Sequence, residues 1–134
     1  MLVLDTCALL HITFGRTFSR PARDLLEVAV QRRQALVPAV VALEVAQKVW
    51  SGELRLPGEP TAWFTRALAE FRLRELPLRA AAAFGAYSLP EPFHRDPADR
   101  LIVAAARRLS APLLTSDRKI LAYAAAGHVA AVGY

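Results

Sequence analysis

The chain has 134 residues, 54% hydrophobic and 22% charged, which is enough to bury one core and fits a single domain over residues 1–134. No apolar run approaches the roughly 18 residues that a membrane span needs, and the lone cysteine, Cys7, excludes an intrachain disulfide. The formal net charge of +5, carried mainly by arginine, allows a phosphate-rich partner but also follows from an Ala- and Arg-rich composition, so charge alone assigns no function.

The N-terminal stretch MLVLDTCALL has no basic segment ahead of its apolar residues and meets Asp5 at once, unlike a secretory leader. With a single cysteine, this sets a cytoplasmic location as the expectation. MLVLD (1–5) is a short apolar run closed by an acid, the pattern of a strand covered on both faces. SRPARDLLEVAVQRR (19–33) predicts a helix, with Ser19 as N-cap, Pro21 in the first turn, and Leu25, Leu26, Ala29 and Val30 on one face.

ALVPA (35–39) repeats the strand pattern, and VALEVAQKVW (41–50) predicts a helix ended by Ser51 and Gly52. GELRLPGEP (52–60) reads as an exposed loop, PTAWFTRALAEFRL (60–73) as a helix and LRELPL (73–78) as a weak strand. RAAAAFGAYSL (79–89) reads as a helix despite Gly85, broken by the PEPF that follows.

DPADRLIVAAARRL (96–109) gives the clearest helix: Asp96 caps it, Pro97 suits its first position, and Leu101, Ile102, Ala105 and Leu109 form the apolar stripe. APLLTSD (111–117) is the last predicted strand. Short apolar strands alternating with helices predict an α/β layered domain with a mostly parallel sheet.

Seven of the twelve acids, Asp24, Glu27, Glu53, Glu59, Glu70, Glu75 and Glu91, fall in polar faces or loops and read as surface charge. The other five, Asp5, Glu44, Asp96, Asp99 and Asp117, abut apolar residues, where a carboxylate is costly unless paired or bound to a metal. Asp5 and Asp117 close predicted strands, whose carboxyl ends are where ligands gather in a parallel α/β sheet. Asp96 and Asp99, three apart, share a helical face, so all five can converge on one rim.

Two carboxylates about 5 Å apart repel by roughly 3 kcal/mol at an effective dielectric near 20. Convergence therefore demands a cation. Arg95, Arg100 and Arg118 offer salt bridges. The alternative is a hard divalent ion, and Mg²⁺ or Mn²⁺ suits an all-carboxylate site without His or Cys ligands. A Zn²⁺ site at Cys7 and His11 lacks a second His or Cys pair, and Cys7 reads as a small core residue. His94 borders the acids as either a phosphate contact or a loop residue, and His128 reads as structural.

VLDTCALL, LEVAQKVWSGELRLP and HRDPADRLIVAAARRLSAPLLTSDRKILAY, in this order and spacing, resemble PIN-domain ribonucleases of the VapC toxin type over essentially the whole chain. The resemblance implies a three-layer α/β/α PIN-like domain around a mostly parallel sheet, with an acidic site that uses Mg²⁺ or Mn²⁺ to hydrolyse RNA. It also implies a cognate antitoxin that blocks the site. By motif, Asp5, Glu44, Asp99 and Asp117 match the family's catalytic acids and Asp96 an auxiliary one, while Thr6 and Thr115 match hydroxyl positions beside the site. Val41 and Leu43 depart from the Ser or Thr and Trp frequent before the helix glutamate, and His11 stands where an aromatic is frequent.

On this reading Asp5, Asp99 and Asp117 hold one or two ions directly and Glu44 and Asp96 act through water. Cleavage then leaves a 5′-phosphate and a 3′-hydroxyl. Arg95, Arg100, Arg118, Lys119 and His94 position the RNA backbone, or else belong to solvated surface.

Three other readings stay open. A metal-dependent phosphohydrolase of the haloacid-dehalogenase pattern needs a second Asp where Cys7 stands; the others are a non-catalytic PIN-like binding domain and a structural Arg–Asp network. Trp50, Trp63, Phe64 and Phe71 read first as core, and the apolar surplus predicts a homodimer and an antitoxin groove.

Overall fold

Leu2, Val3 and Leu4 are all fully excluded from solvent. Successive residues of a strand point to opposite faces, so burial of all three means that helices cover both faces of the sheet. In the computed structural model, which describes residues 1–134, this trio is β1 (Leu2–Leu4). It sits at the centre of a five-stranded sheet with β2 (Ala35–Pro38), β3 (Arg74–Leu76), β4 (Leu113–Leu114) and β5 (Ala131–Val132). Every pairing is parallel and the order is β3-β2-β1-β4-β5. The prediction of a parallel α/β domain is met, with β5 as an addition: its two residues are only half-buried at the sheet edge, unlike the fully buried pair of β4 that the APLLTSD run signals.

The chain runs outward from β1 through β2 to β3, then returns to β1's other side for β4 and β5. The strand order reverses between β1 and β4, so the crevice outside their carboxyl ends is the switch point where ligands bind in such sheets. Asp5 follows β1 directly and Asp117 lies three residues beyond β4.

Seven helices complete the layers: α1 (Thr6–Thr13), α2 (Arg20–Gln31), α3 (Val40–Trp50), α4 (Pro60–Glu70), α5 (Ala80–Gly85), α6 (Pro97–Arg108) and α7 (Arg118–Ala125). Helix α2 packs on β1 and β2, whereas α6 packs on β1, α3 and α5. Helix α6 buries Ile102, Val103, Ala104, Ala105 and Ala106, a wider face than the predicted stripe, because it is clamped between sheet and helices. Its alanines allow that close approach. Ser19 occupies the N-cap position of α2 without a capping bond from its side chain.

Trp63 lies in the core with Phe64 and Phe71 packed against it, as expected. Trp50 does not: it is 87% exposed at the end of α3, whose neighbours α1, α4 and α6 cover other faces. Cys7 is exposed as well, since Thr6, Ala8 and Leu9 take the inward arc of α1 and leave position 7 outside it. No helix is long and apolar enough to cross a membrane.

Candidate functional site

Three helices begin at the switch point, and each is capped by one of the five acids. Asp5 caps α1, its Oδ1 accepting from the Ala8 amide at 2.8 Å. Asp96 caps α6 by accepting from the Asp99 amide at 3.2 Å. Asp117 caps α7 with one oxygen, Oδ1, which accepts from the Lys119 and Ile120 amides at 2.8 and 3.0 Å. One carboxylate thus satisfies the orphan amides of a helix start while keeping an oxygen for other work.

Two threonines tie the acids together. Thr115, fully buried, donates its hydroxyl to Asp5 Oδ2 and accepts the Asp117 amide at 3.0 Å, linking the ends of β1 and β4. Thr6 donates to Glu44 Oε1 at 2.5 Å, which joins α1 to α3.

Carboxylate oxygens of Glu44, Asp96 and Asp99 lie within 4.8 Å of one another, a group able to hold a metal ion. Asp5 and Asp117 lie outside that trio, yet their charges act on Asp99 as well. Asp96, matched by motif only as an auxiliary position, therefore belongs to the tightest trio.

The electrostatics follow from this crowding. Burial, and after it the charges of Asp96, Asp117, Glu44 and Asp5, pushes the Asp99 carboxyl up to about 7. Burial also raises Asp5 to about 6, against the lowering by the Thr115 hydroxyl and the Ala8 amide. Glu44 is raised, again first by burial. No arginine or lysine forms an ion pair with any of the five. Helix N-termini offset about 0.3–1 kcal/mol per carboxylate, less than one pairwise repulsion at this spacing. The donor set is hard oxygen throughout, which fits Mg²⁺ or Mn²⁺ and leaves no soft ligand for zinc.

His94 Nε2 lies 3.1 Å from Asp99 Oδ2. Its Nδ1 accepts the Asp96 amide at 3.3 Å, which leaves Nε2 facing the carboxylate. His11 fills the frequent aromatic position as an aromatic would, packed with tilted rings at 4.6 Å against both Phe18 and Tyr134, with Nε2 bonded to the Thr17 carbonyl.

Arg95, Arg118 and Lys119 are exposed beside the acids. Arg100 is not, and the expectation that it contacts RNA or pairs with the site acids is corrected. It is 4% exposed, and its guanidinium donates to the carbonyls of Ala86, Phe93 and His94 and to Glu91 at 2.8–3.2 Å. Glu91, read as surface charge, is its counter-ion.

Arg100 thereby fastens the loop that carries His94 and Asp96, a role without sequence signal because its partners are mostly backbone carbonyls. Arg100→Leu should lower stability by about 3 kcal/mol, since several buried acceptors lose their donor. Thermal denaturation measures it as a melting temperature lower by about 10 °C.

The PIN domain family profile matches residues 2–126. A comparison with curated proteins returned no match. Among solved structures, the chain is similar to VapBC2 of Rickettsia felis bound to a promoter DNA fragment, with TM-score 0.70, 14% identity, and coverage of 98% of this chain and 97% of that one. It is similar to a toxin–antitoxin complex from Klebsiella pneumoniae, with TM-score 0.60, 18% identity, and coverage of 89% and 88%. A third similar structure is FitAcB from Neisseria gonorrhoeae, with TM-score 0.60, 20% identity, and coverage of 98% and 96%.

Proposed function

From the premise that this chain belongs to the PIN-domain family, whose members are in general nucleases, we propose that it is a divalent-metal-dependent endoribonuclease acting as the toxin of a toxin–antitoxin pair. The observation that carries this is the gathering of five carboxylates at the switch point with no arginine or lysine ion-paired to any of them. Glu44, Asp96 and Asp99, with Asp5 and Asp117 behind them, would hold Mg²⁺ or Mn²⁺. When bound, such an ion lowers the pKa of water and screens charge building on a phosphate.

The chain's own residues supply the rest. Thr115 and Thr6 lock Asp5 and Glu44 in orientation, and the His94 ring lies against the Asp99 carboxylate. Arg95, Arg118 and Lys119 hold the phosphates flanking the cut. The products carry a 5′-phosphate and a 3′-hydroxyl, as no neighbouring 2′-hydroxyl or histidine pair is needed as nucleophile or base. Incubating purified protein with total RNA, with Mg²⁺ and with EDTA, and mapping the ends tests this. Cleavage unaffected by EDTA, or 2′,3′-cyclic ends, would overturn it.

The similar structures from Klebsiella and Rickettsia, a toxin–antitoxin complex and VapBC2, support an antitoxin as partner. A homodimer is supported by Leu43 and Trp50, 66% and 87% exposed and seven apart on one face of α3. Trp50→Glu should leave the fold within about 0.5 kcal/mol of wild type, as an exposed substitution does. It should also convert a dimer to monomer in sedimentation equilibrium, and an unchanged dimer would place the interface elsewhere.

A further inference from the structure

An open groove of about 350 Å³ runs between the loop before α6 and the outer side of α7, lined by Phe93, His94, Lys119, Ala122, Tyr123 and His128. Its floor is a row of four rings. His94 packs on Phe93 at 4.4 Å between centroids, Phe93 on Tyr123 at 4.4 Å, and Tyr123 on His128 at 4.6 Å. Tyr123 is buried, whereas Phe93, His94 and His128 are half-buried and open to the groove.

The row starts at the acids: His94 reaches Asp99, and the Lys119 amide is held by the cap Asp117. A row meant only for core packing would be covered. This one is left open beside a cation and beside the site proposed to cut a phosphodiester.

We propose that the groove is a nucleobase subsite: an unpaired RNA base next to the scissile phosphate stacks on the Phe93–Tyr123–His128 floor, with its phosphate on Lys119. Aromatic rings beside a cation are how single strands are gripped with little sequence preference, each base adding about 10- to 100-fold in affinity. A base in a duplex keeps its faces covered by its neighbours, so the groove selects single-stranded segments. The proposal rests on the nuclease reading and deepens it.

The test uses single-stranded RNAs roughly 12 nucleotides long, each with 2-aminopurine at a different position, titrated with wild-type protein in EDTA. Stacking should quench the fluorophore at one position. The same position made abasic should lose about 10- to 100-fold in kcat/KM with Mg²⁺. Ala122→Leu fills the groove from the exposed side of α7 and should abolish quenching. Ala125→Leu, exposed on the same helix but outside the groove, should not, and equal melting temperatures show that both fold.

Cleavage without quenching, or quenching indifferent to Ala122→Leu, overturns the subsite and leaves the nuclease reading standing. Quenching without cleavage overturns the nuclease reading and keeps the subsite. Neither signal overturns both.

Discussion

Asp99→Asn lowers Mg²⁺-dependent RNA cleavage by more than about 100-fold, beyond the roughly 10- to 100-fold typical of losing an outer-shell partner, while the protein stays folded. Position 99 is a clean probe because its carboxylate accepts no backbone amide; it faces only His94 and the other acids. Asp5→Ala is a poorer one. It would remove the cap of α1 and strand the Thr115 hydroxyl in a buried place, costing about 1–3 kcal/mol and mixing unfolding with lost chemistry.

Stopped-flow or gel assays run well below the melting temperatures of Asp99→Asn and the wild type therefore report on the site alone. Undiminished cleavage would remove Asp99 from the reaction. Turnover of p-nitrophenyl phosphate with none of RNA would favour the phosphohydrolase, and failure of the wild type to bind Mn²⁺ would favour a non-catalytic domain.

The sequence was most legible where the chain violates a simple rule. Acids beside apolar runs at 5, 44, 96, 99 and 117 stand out because carboxylates are rarely placed there without cause, and the β1 and β4 patterns put two of them at strand ends. The cap and proline at 96 and 97 placed the start of α6 to the residue.

What stayed hidden is tertiary. Arg100 reads like any helix-surface arginine until the loop at 86–94 folds over it and offers carbonyls. Trp50 reads as core, since nothing local reveals that α3 has no neighbour on that side. The groove beyond His94 joins Phe93 to Tyr123 and His128, about thirty residues away, a contact with no local periodicity. Capping geometry also hid the division of labour among the acids, because motif spacing cannot say which carboxylate oxygen is already taken.

Saturating Mn²⁺ at pH 7.5 should raise the melting temperature by about 10 °C, since a ligand at roughly 100 times its Kd adds about 2.7 kcal/mol. The size depends on pH in a direction fixed by the raised carboxyls. Asp99, about 7 in the folded protein against 3.8 ordinarily, binds its proton more tightly folded than unfolded. Its effect on the metal-free protein is thus absent below pH 4, grows more destabilising as pH rises towards 7, and is constant above. Asp5, raised to about 6, adds to the loss over a narrower window. With screening in a partly open site, the penalty from Asp99 is about 2 kcal/mol.

Hence Asp99→Asn should raise the melting temperature of the metal-free protein at pH 7.5 by about 6 °C, do little at pH 4, and suppress the response to Mn²⁺. In the wild type, Mn²⁺ must displace protons from Asp99 and Asp5 at pH 5, which weakens binding by roughly two to three orders of magnitude. A structural Arg–Asp network demands the reverse: Asp99→Asn would destabilise, and Mn²⁺ would leave the melting temperature unchanged. Calorimetry at pH 4, 5 and 7.5, with and without Mn²⁺, therefore separates a cation-binding cluster from a set of salt bridges without measuring any turnover.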